Sequence, residues 1–283
     1  MRLLRRSELV IVIWLAWTAV AAHFLDVKPQ VRQVVFVLNL TIIAGYFLLA
    51  YADSLRRRLF LSIVRDCLPA PLLLLAYREV GWFAPERRTY ELERAWVVWD
   101  KWLLNDLGLK AGIEILGPAL PSLLEISYSL VYAVPYFALA MLYTYRRRER
   151  TDRFFFLLCL AVLSVYAMLP FFPSEPPHTV YPGEDFPSYD TAFRRFNWWL
   201  LGGYGIHTGV FPSAHVSSST ASALAMIALL RERKWVGRFL LVLAILIATA
   251  TVYGRYHYAV DALAGAVVAL AAMCAQRMLN WDN

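Results

Sequence analysis

The chain has 283 residues, of which 60% are hydrophobic and 17% are charged, and its mean hydropathy is +0.51. Soluble globular proteins contain about 25% charged residues, so the composition excludes an ordinary soluble domain and predicts an integral membrane protein. The net charge of +7 comes from short basic runs between apolar segments, which indicates membrane orientation and not nucleic-acid binding.

Eight apolar stretches are long enough for a helix to cross a bilayer, and they predict an all-α polytopic membrane protein of about eight transmembrane helices. In chain order they are residues 9–27, 33–51, 61–80, 123–144, 154–172, 215–230, 236–253 and 257–278. The third contains Arg65 and Asp66, and the sixth is diluted by serines. We therefore expect both to face protein or a cavity and not lipid. The first also resembles a signal peptide, but its apolar run continues past the usual length of one.

Basic residues concentrate in alternate loops between the predicted spans. The runs at 56–58, 146–153 and 231–238, together with residues 2–6 and Arg277, hold more than half of the 28 Lys and Arg residues. Cytoplasmic loops are enriched in Lys and Arg. Both termini are therefore predicted to be cytoplasmic, with the intervening loops on the extracytoplasmic side.

The extracytoplasmic side contains two long segments. In residues 81–122, Leu92, Trp96, Trp99 and Leu103 recur at helical spacing among charges, which predicts a helix lying in the membrane interface. The stretch "GIEILGPALPSLLE" follows, and its two prolines favour a re-entrant segment. The second long segment, residues 173–214, is rich in proline, glycine and aromatic residues.

Two stretches, "FPSAHVSSS" and "YGRYHYAVDALAG", contain the residues most suited to chemistry. His215 and His257 each lie at the extracytoplasmic start of a predicted span. Ser213 is an expected N-cap, and a helix N-terminus favours an anion such as phosphate. Asp261 lies four residues after His257, where its carboxylate can accept a proton from the imidazole. Arg255 can hold phosphate oxygens.

Each of these features alone is more common as a cap or a local hydrogen bond than as a catalytic group. Together they place two histidines, an aspartate and an arginine at one membrane depth, where ionisable groups are costly and usually functional. The three cysteines, Cys67, Cys159 and Cys274, lack the spacing of metal ligands, and no metal site is predicted.

The two stretches resemble the second and third signature motifs of the type 2 phosphatidic acid phosphatase superfamily, P-S-x-H and H-Y-x-x-D-x-x-A-G, separated by forty-two residues between the histidines. The resemblance implies that residues 61–283 form a membrane phosphatase or phosphotransferase bundle of six helices. Residues 1–60 would then be two additional N-terminal helices. It also implies that His257 forms a phosphohistidine, that Asp261 orients it, that His215 protonates the leaving alcohol, and that no metal or other cofactor takes part.

The chain departs from the family pattern at the residues that bind phosphate. The first motif, with its lysine and arginine, is absent, and "FFPSEPPHTVYP" stands in its place. Thr251 occupies a position where the third motif usually has arginine. Substitutes for these groups are predicted among seven residues: Arg255, Ser213, Ser174, His178, Arg194, Arg195 and Lys101.

The double-proline loop and the form of both motifs are more similar to the branch of inositol phosphorylceramide synthases and sphingomyelin synthases than to simple phosphatases. That similarity favours transfer of a phospho-headgroup between membrane lipids. Hydrolysis of a lipid phosphate such as phosphatidic acid or a polyprenyl phosphate stays open, as does a lipid transporter or flippase without chemistry. For His178 and His207, loop structure and headgroup contact stay open equally.

Overall fold

The computed structural model describes residues 3–25, 27–56, 58–83, 89–206 and 208–279, and within these ranges it consists of helices and connecting loops without strands. The α-helices are α1 (Arg6–Ala21), α2 (Pro29–Arg56), α3 (Leu59–Cys67), α4 (Pro69–Val80), α5 (Glu91–Lys101), α6 (Leu109–Glu114), α7 (Ala119–Leu130), α8 (Val134–Thr144), α9 (Thr151–Met168), α10 (Pro177–Val180), α11 (Ala192–Tyr204), α12 (Ala214–Leu229), α13 (Lys234–Tyr253) and α14 (Ala259–Met278).

The all-helical membrane fold predicted from the sequence is confirmed. Within the described residues, five helical segments are long and apolar enough to cross a membrane: Pro29–Leu55, Leu59–Phe83, Arg148–Phe171, Arg231–Tyr253 and Ala259–Met278. Helices α7 and α8 would form a sixth span, bent by 73°. The remaining two predicted spans correspond to α1 and α12, each of 16 residues. The count of eight spans therefore stays a prediction.

The bend between α7 and α8 lies inside the predicted span 123–144, and not at the prolines of "GIEILGPALPSLLE". Pro135 is in the first turn of α8, where backbone nitrogens donate no intrahelical hydrogen bond, so that the missing N–H of proline costs nothing. Pro121 is likewise in the first turn of α7. Each proline therefore marks the start of a helix.

Helices α9 and α12 form the centre of the bundle. Phe154, Leu157, Leu158 and Ala161 of α9 are fully buried, and α12 packs against α9, α13 and α14. Most of the buried residues of α12 are alanine and serine, which allow neighbouring helices to approach closely. Helix α12, which carries His215, is therefore held on three sides by other helices.

The first residues of α12 and α14 are in direct contact. The Ser213 backbone N–H donates to the Asp261 carbonyl at 2.9 Å. One turn further along α14, a methyl group on Gly265 would overlap the Ser213 carbonyl oxygen. Glycine is therefore required at position 265 for the two motif-bearing helix ends to lie side by side.

Buried ion pairs explain the charges in the third predicted span. Arg65 binds both carboxylate oxygens of Glu8 at 2.7 Å and Asp53 at 2.8 Å. Asp66 accepts from Arg5 and Arg148, both at 2.6 Å. These pairs, together with the packing of α1 against α9, join the N-terminal helices to the bundle. A domain boundary near residue 60 stays a prediction.

We expect Gly265→Ala to lower the thermal unfolding midpoint and to reduce activity. The added methyl group overpacks the α12–α14 contact, and overpacking in a well-packed core costs about 1–3 kcal/mol. Gly45→Ala is the matched control, because a methyl group at position 45 of α2 would have open space around it. Equal unfolding midpoints for the two variants in the same detergent would contradict the close approach.

Candidate active site

His215 and His257 face each other at one end of the bundle. Their ring centroids are 5.5 Å apart and their planes make an angle of 63°. His215 is in the first turn of α12, and His257 lies in the tight connection between α13 and α14. Arg255 in that connection has a φ of 62°, and the N–H groups of Tyr256 and His257 both donate to the Thr251 carbonyl. The connection thereby turns His257 towards His215.

The tautomer of His257 is set by a backbone carbonyl. Nδ1 lies 3.0 Å from the Val210 carbonyl oxygen and 3.4 Å from Asp261 Oδ2. A carbonyl oxygen can only accept, so Nδ1 carries the proton and Nε2 has the free lone pair. The sequence predicts the Asp261 carboxylate as the acceptor, whereas the shorter hydrogen bond goes to Val210.

Asp261 also stabilises the start of α14. Its Oδ2 accepts the Tyr258 backbone N–H at 2.9 Å, in a capping interaction, and the side chain is fully buried. The carboxylate therefore lies beside the His257 imidazole and is fixed by the helix N-terminus. Its predicted role of orienting His257 stays a prediction that this position supports.

His215 is held in a stack of aromatic rings. Its imidazole lies parallel to the Tyr128 ring at 4.8 Å, and Tyr128 stacks in turn on Tyr256 at 4.2 Å. The Tyr132 hydroxyl lies 3.5 Å from Nε2 of His215. As predicted, Ser213 is the N-cap of α12, and its hydroxyl oxygen accepts the Val216 N–H. Ser213 thus positions the helix that carries His215.

A third histidine, His178, lies in the same cavity. Its backbone N–H and its Nδ1 both lie close to the Arg255 carbonyl oxygen, at 3.2 and 3.1 Å. Its ring meets the Trp198 ring edge-on at 4.7 Å. Burial lowers the pKa of His178, so the neutral imidazole is favoured. With Nδ1 donating to a carbonyl, Nε2 is the nitrogen available to a ligand.

The three histidines line one cavity of about 210 Å³. Most of its other walls are aromatic or apolar, and include Tyr128, Trp198 and Tyr256. A second, smaller pocket shares Tyr77, Tyr166, Ala214 and His215 with it and extends between α4, α8 and α9. That second pocket is mainly apolar, although Tyr132, His215 and Ser218 also line it. The histidine cavity therefore continues past His215 into a more apolar one.

Two predicted phosphate ligands, Arg255 and Arg194, are buried one layer behind the cavity walls. Arg255 donates to Asp100 at 2.5 Å and Arg194 to Glu125 at 2.8 Å. The Arg194 guanidinium lies 5.3 Å from the Trp198 ring and 5.9 Å from the Tyr256 ring. Both arginines keep buried N–H groups that have no acceptor among the described residues. In each pair the two charges compensate each other, but the arginine keeps an N–H group that can still donate a hydrogen bond.

The other three predicted phosphate ligands have partners away from the histidines. Lys101 pairs with Glu184 at 3.0 Å and Arg195 with Asp190 at 3.0 Å, on exposed surface. The Ser174 hydroxyl donates to the Phe172 carbonyl. Charge and sequence position nominated these residues, but they do not line the cavity. His207 lies outside the described residues.

The acidic partners of the two buried arginines were not predicted from the sequence. Glu125 accepts from Arg194, Asn197 and Tyr256 at 2.7–2.8 Å, and it is 2% exposed. A carboxylate within a predicted span is a signal of function that could have identified it. Asp100 accepts from Arg255 and from the Ala259 N–H. It belongs to the segment predicted to be interfacial.

Helix α5, predicted to lie in the membrane interface, packs behind the site without lining the cavity. Trp96 stacks on Phe211 at 4.9 Å and meets the Tyr258 ring at 5.7 Å. Trp99, three residues further along the same helix, is 65% exposed. Of these two periodic aromatic residues, Trp96 therefore packs inside the protein, and Trp99 is free to contact lipid.

The arrangement suits attack on a tetrahedral phosphorus atom. One imidazole presents a lone pair at Nε2, and a second imidazole lies across the cavity, where it can exchange a proton with a leaving or attacking oxygen. Within the described ranges, no group of three or more His, Cys, Asp or Glu residues has the geometry to hold a metal ion.

The family model described as PAP2 superfamily matches residues 95–275, nearly two thirds of the chain. The matched region begins within α5 and includes both histidine motifs. Neither a curated protein nor a solved structure matches the chain.

We expect Glu125→Gln to destabilise the protein by about 3–5 kcal/mol, because it leaves the buried Arg194 charge without a partner. The double variant Glu125→Gln/Arg194→Gln should recover part of that loss, since it removes the charge as well. Chemical unfolding in detergent measures both effects. Asp190→Asn is the control: it breaks the exposed Arg195 pair and should change stability little. A double variant that is less stable than the single one would contradict this account.

Proposed function

The chain belongs to the PAP2 superfamily, and from that membership we propose that it is a membrane enzyme that cleaves a lipid phosphoester through a phosphohistidine on His257. Members of the superfamily are phosphatases and phosphotransferases, and the helical structure has several segments apolar enough to cross a membrane. The observation that carries the proposal is the pair of facing imidazoles. His257 has Nδ1 held by the Val210 carbonyl, and its Nε2 is thereby left as the nucleophile.

The proposed reaction has two steps. In the first, His257 Nε2 forms a bond to phosphorus, the bond from phosphorus to the leaving oxygen breaks, and protonated His215 gives its proton to that oxygen. In the second, an acceptor hydroxyl attacks phosphorus, His215 takes the hydroxyl proton, and the nitrogen–phosphorus bond breaks. Both histidines return to their starting states.

We propose that the substrate is a phosphodiester lipid whose phospho-headgroup is transferred to another lipid. A phosphodiester carries one negative charge, whereas a phosphate monoester carries nearly two at neutral pH. The cavity is lined by three histidines and aromatic rings, and the adjacent arginines share their charge with Glu125 and Asp100. Such a site offers hydrogen-bond donors with little net positive charge, which suits the diester.

The apolar pocket beside His215 supports a lipid substrate. Leu73 and Leu74 of α4 line it, as do Pro135 and Tyr136 at the start of α8. A hydrocarbon chain in this pocket would have its polar end beside His215. Because of the 73° bend between α7 and α8, the α8 residues that line this pocket lie at an angle to the axis of α7.

We further propose eight spans, with the histidines on the extracytoplasmic side. At the opposite end of the bundle, Arg6 donates to the Leu279 carbonyl and Arg148 pairs with Asp66. The start of α1 and the end of α14 therefore both lie at the arginine-rich end of the bundle. Because cytoplasmic ends are enriched in Lys and Arg, this distribution supports cytoplasmic termini.

We expect His257→Ala to abolish both turnover and the covalent intermediate, with turnover at least about a thousandfold lower. His215→Ala should lose activity on lipids but still be phosphorylated by a nitrophenyl phosphodiester, whose leaving group needs no protonation. Acid-labile labelling of the protein and product release measure the two steps. His23→Ala, in the turn after α1 and outside the cavity, is the control. If His257→Ala released headgroup normally, the phosphohistidine mechanism would be excluded. The activity would then be assigned to a contaminating enzyme, and the protein itself could be a transporter.

The choice between transfer and hydrolysis is tested with purified protein in lipid nanodiscs. We expect a phosphodiester lipid labelled in its phosphate to yield a new labelled lipid when diacylglycerol or ceramide is present as acceptor. A labelled phosphatidic acid should release phosphate much more slowly, because the site lacks uncompensated cations. Faster release of inorganic phosphate from phosphatidic acid, with no labelled lipid product, would identify a simple phosphatase and overturn the proposed transfer.

A further inference from the structure

A second polar cavity lies at the end of the bundle opposite the histidines. It encloses about 460 Å³ between the last turns of α12 and α14 and the start of α9. Helix α12 has His215 in its first turn and lines this cavity with its last turn. Ala225 and Leu229 of this cavity follow His215 by ten and fourteen residues, which at about 1.5 Å per helical residue is a separation of about 15 to 21 Å. A ligand in this cavity therefore cannot contact the histidines with its headgroup.

The rim of this cavity carries excess positive charge. Arg150, Arg153, Arg231 and Arg277 line it, with Glu232 as its one acidic residue. Glu232 is already engaged by Arg150 at 3.2 Å and by Arg147. Among residues 3–279 as far as they are described, no carboxylate forms an ion pair with Arg153, Arg231 or Arg277. Within the described ranges, three guanidinium groups therefore line one cavity without a paired carboxylate.

The deeper wall of the cavity is apolar. Ala225 and Met273 are buried there, and Ala228 and Leu229 complete that wall. These residues lie towards the C-terminal ends of α12 and α14. A basic rim above an apolar wall matches a molecule with an anionic head and a hydrocarbon end. A soluble anion would leave the apolar wall unused.

The enrichment of basic residues on cytoplasmic loops accounts for arginines at this end, but not for their convergence. Arg146 and Arg238 lie at the same end and are exposed outside the cavity. The arginines of the rim come instead from three separate chain segments: the start of α9, the turn after α12 and the end of α14. Basic pockets between transmembrane helices are suited to anionic lipid headgroups.

We propose that this cavity binds the phosphate headgroup of an anionic phospholipid in the membrane leaflet opposite the active site. Arg153, Arg231 and Arg277 contact the phosphate oxygens, and Ala225 and Met273 contact the first part of an acyl chain. The bound lipid joins the ends of α9, α12 and α14. It is a structural ligand and not a substrate, because of its distance from His215 and His257.

Native mass spectrometry of the delipidated full-length protein tests the site. Phosphatidylglycerol should be retained at one more site than phosphatidylcholine, which shares only the proposed active site, and inorganic phosphate at millimolar concentration should not compete for that additional site. Arg153→Gln/Arg277→Gln should bind phosphatidylglycerol there about twenty-five-fold more weakly, at about fivefold for each arginine near a membrane surface. Arg146→Gln/Arg238→Gln removes the same charge outside the cavity and should bind as the unmodified protein does.

The outcomes separate the alternatives. Equal weakening in both double variants would show a diffuse surface attraction and overturn the site. Competition by inorganic phosphate would show a soluble-anion site and overturn the lipid assignment. Ala225→Leu fills the apolar wall without changing charge and should also weaken phosphatidylglycerol binding. If it does not, the acyl chain lies elsewhere and the proposal fails. Because the proposed reaction uses other residues, turnover in phosphatidylcholine nanodiscs checks that each variant is folded.

Discussion

The contact between the first turns of α12 and α14 determines the geometry on which the rest of the site depends. One backbone hydrogen bond, from Ser213 to the Asp261 carbonyl, joins the two helix ends. Gly265 permits that approach because it has no side chain to meet the Ser213 carbonyl. His215 and His257 are each within four residues of this contact. A shift of α14 by the width of a methyl group would therefore change the separation of the imidazoles, and catalytic groups tolerate little displacement.

A layer of buried ion pairs supports this contact from behind. Asp100 binds Arg255 and the Ala259 N–H, so it fixes both sides of the connection that carries His257. Glu125 binds Arg194 and Tyr256. These two side chains lie against aromatic rings that in turn contact His178 and His215, respectively. Buried ion pairs contribute little net stability but are costly to break. In this protein, the ion pairs hold the cavity walls in one arrangement.

Sequence reasoning located the groups that lie close together along the chain or within a family motif. His215, His257 and Asp261 were found because their spacing places them at helix starts, and the structure brings these three together. Hydrophobic windows likewise predicted the long apolar helices, whereas α11 lies in a segment for which no helix was predicted. Lys101 and Arg195 were nominated by charge alone, and charge does not reveal that Glu184 and Asp190 are nearer partners.

The missed features depend on contacts between distant segments. The pattern of α5 indicates two faces, one apolar and one charged, but not that Trp96 packs on Phe211 more than a hundred residues later. Similarly, Asp261 lies four residues from His257, yet the carbonyl of Val210 is the closer acceptor. Local spacing gives the candidates for a hydrogen bond, and only the folded chain decides between them.

The Val210 carbonyl and the Asp261 carboxylate have separate roles towards His257, whereas the sequence predicts that Asp261 alone orients it. Before reaction, the neutral imidazole of His257 needs only an acceptor to hold its Nδ1 proton, and the Val210 carbonyl suffices. In the proposed reaction, the ring becomes positively charged once Nε2 bonds to phosphorus, and a carboxylate 3.4 Å from Nδ1 would then gain a favourable interaction that is absent at the start. Interactions that strengthen as charge develops lower the barrier, whereas those present throughout do not. The position of Asp261 therefore suits the proposed charged intermediate, while the Val210 carbonyl sets the orientation of the imidazole in the free protein.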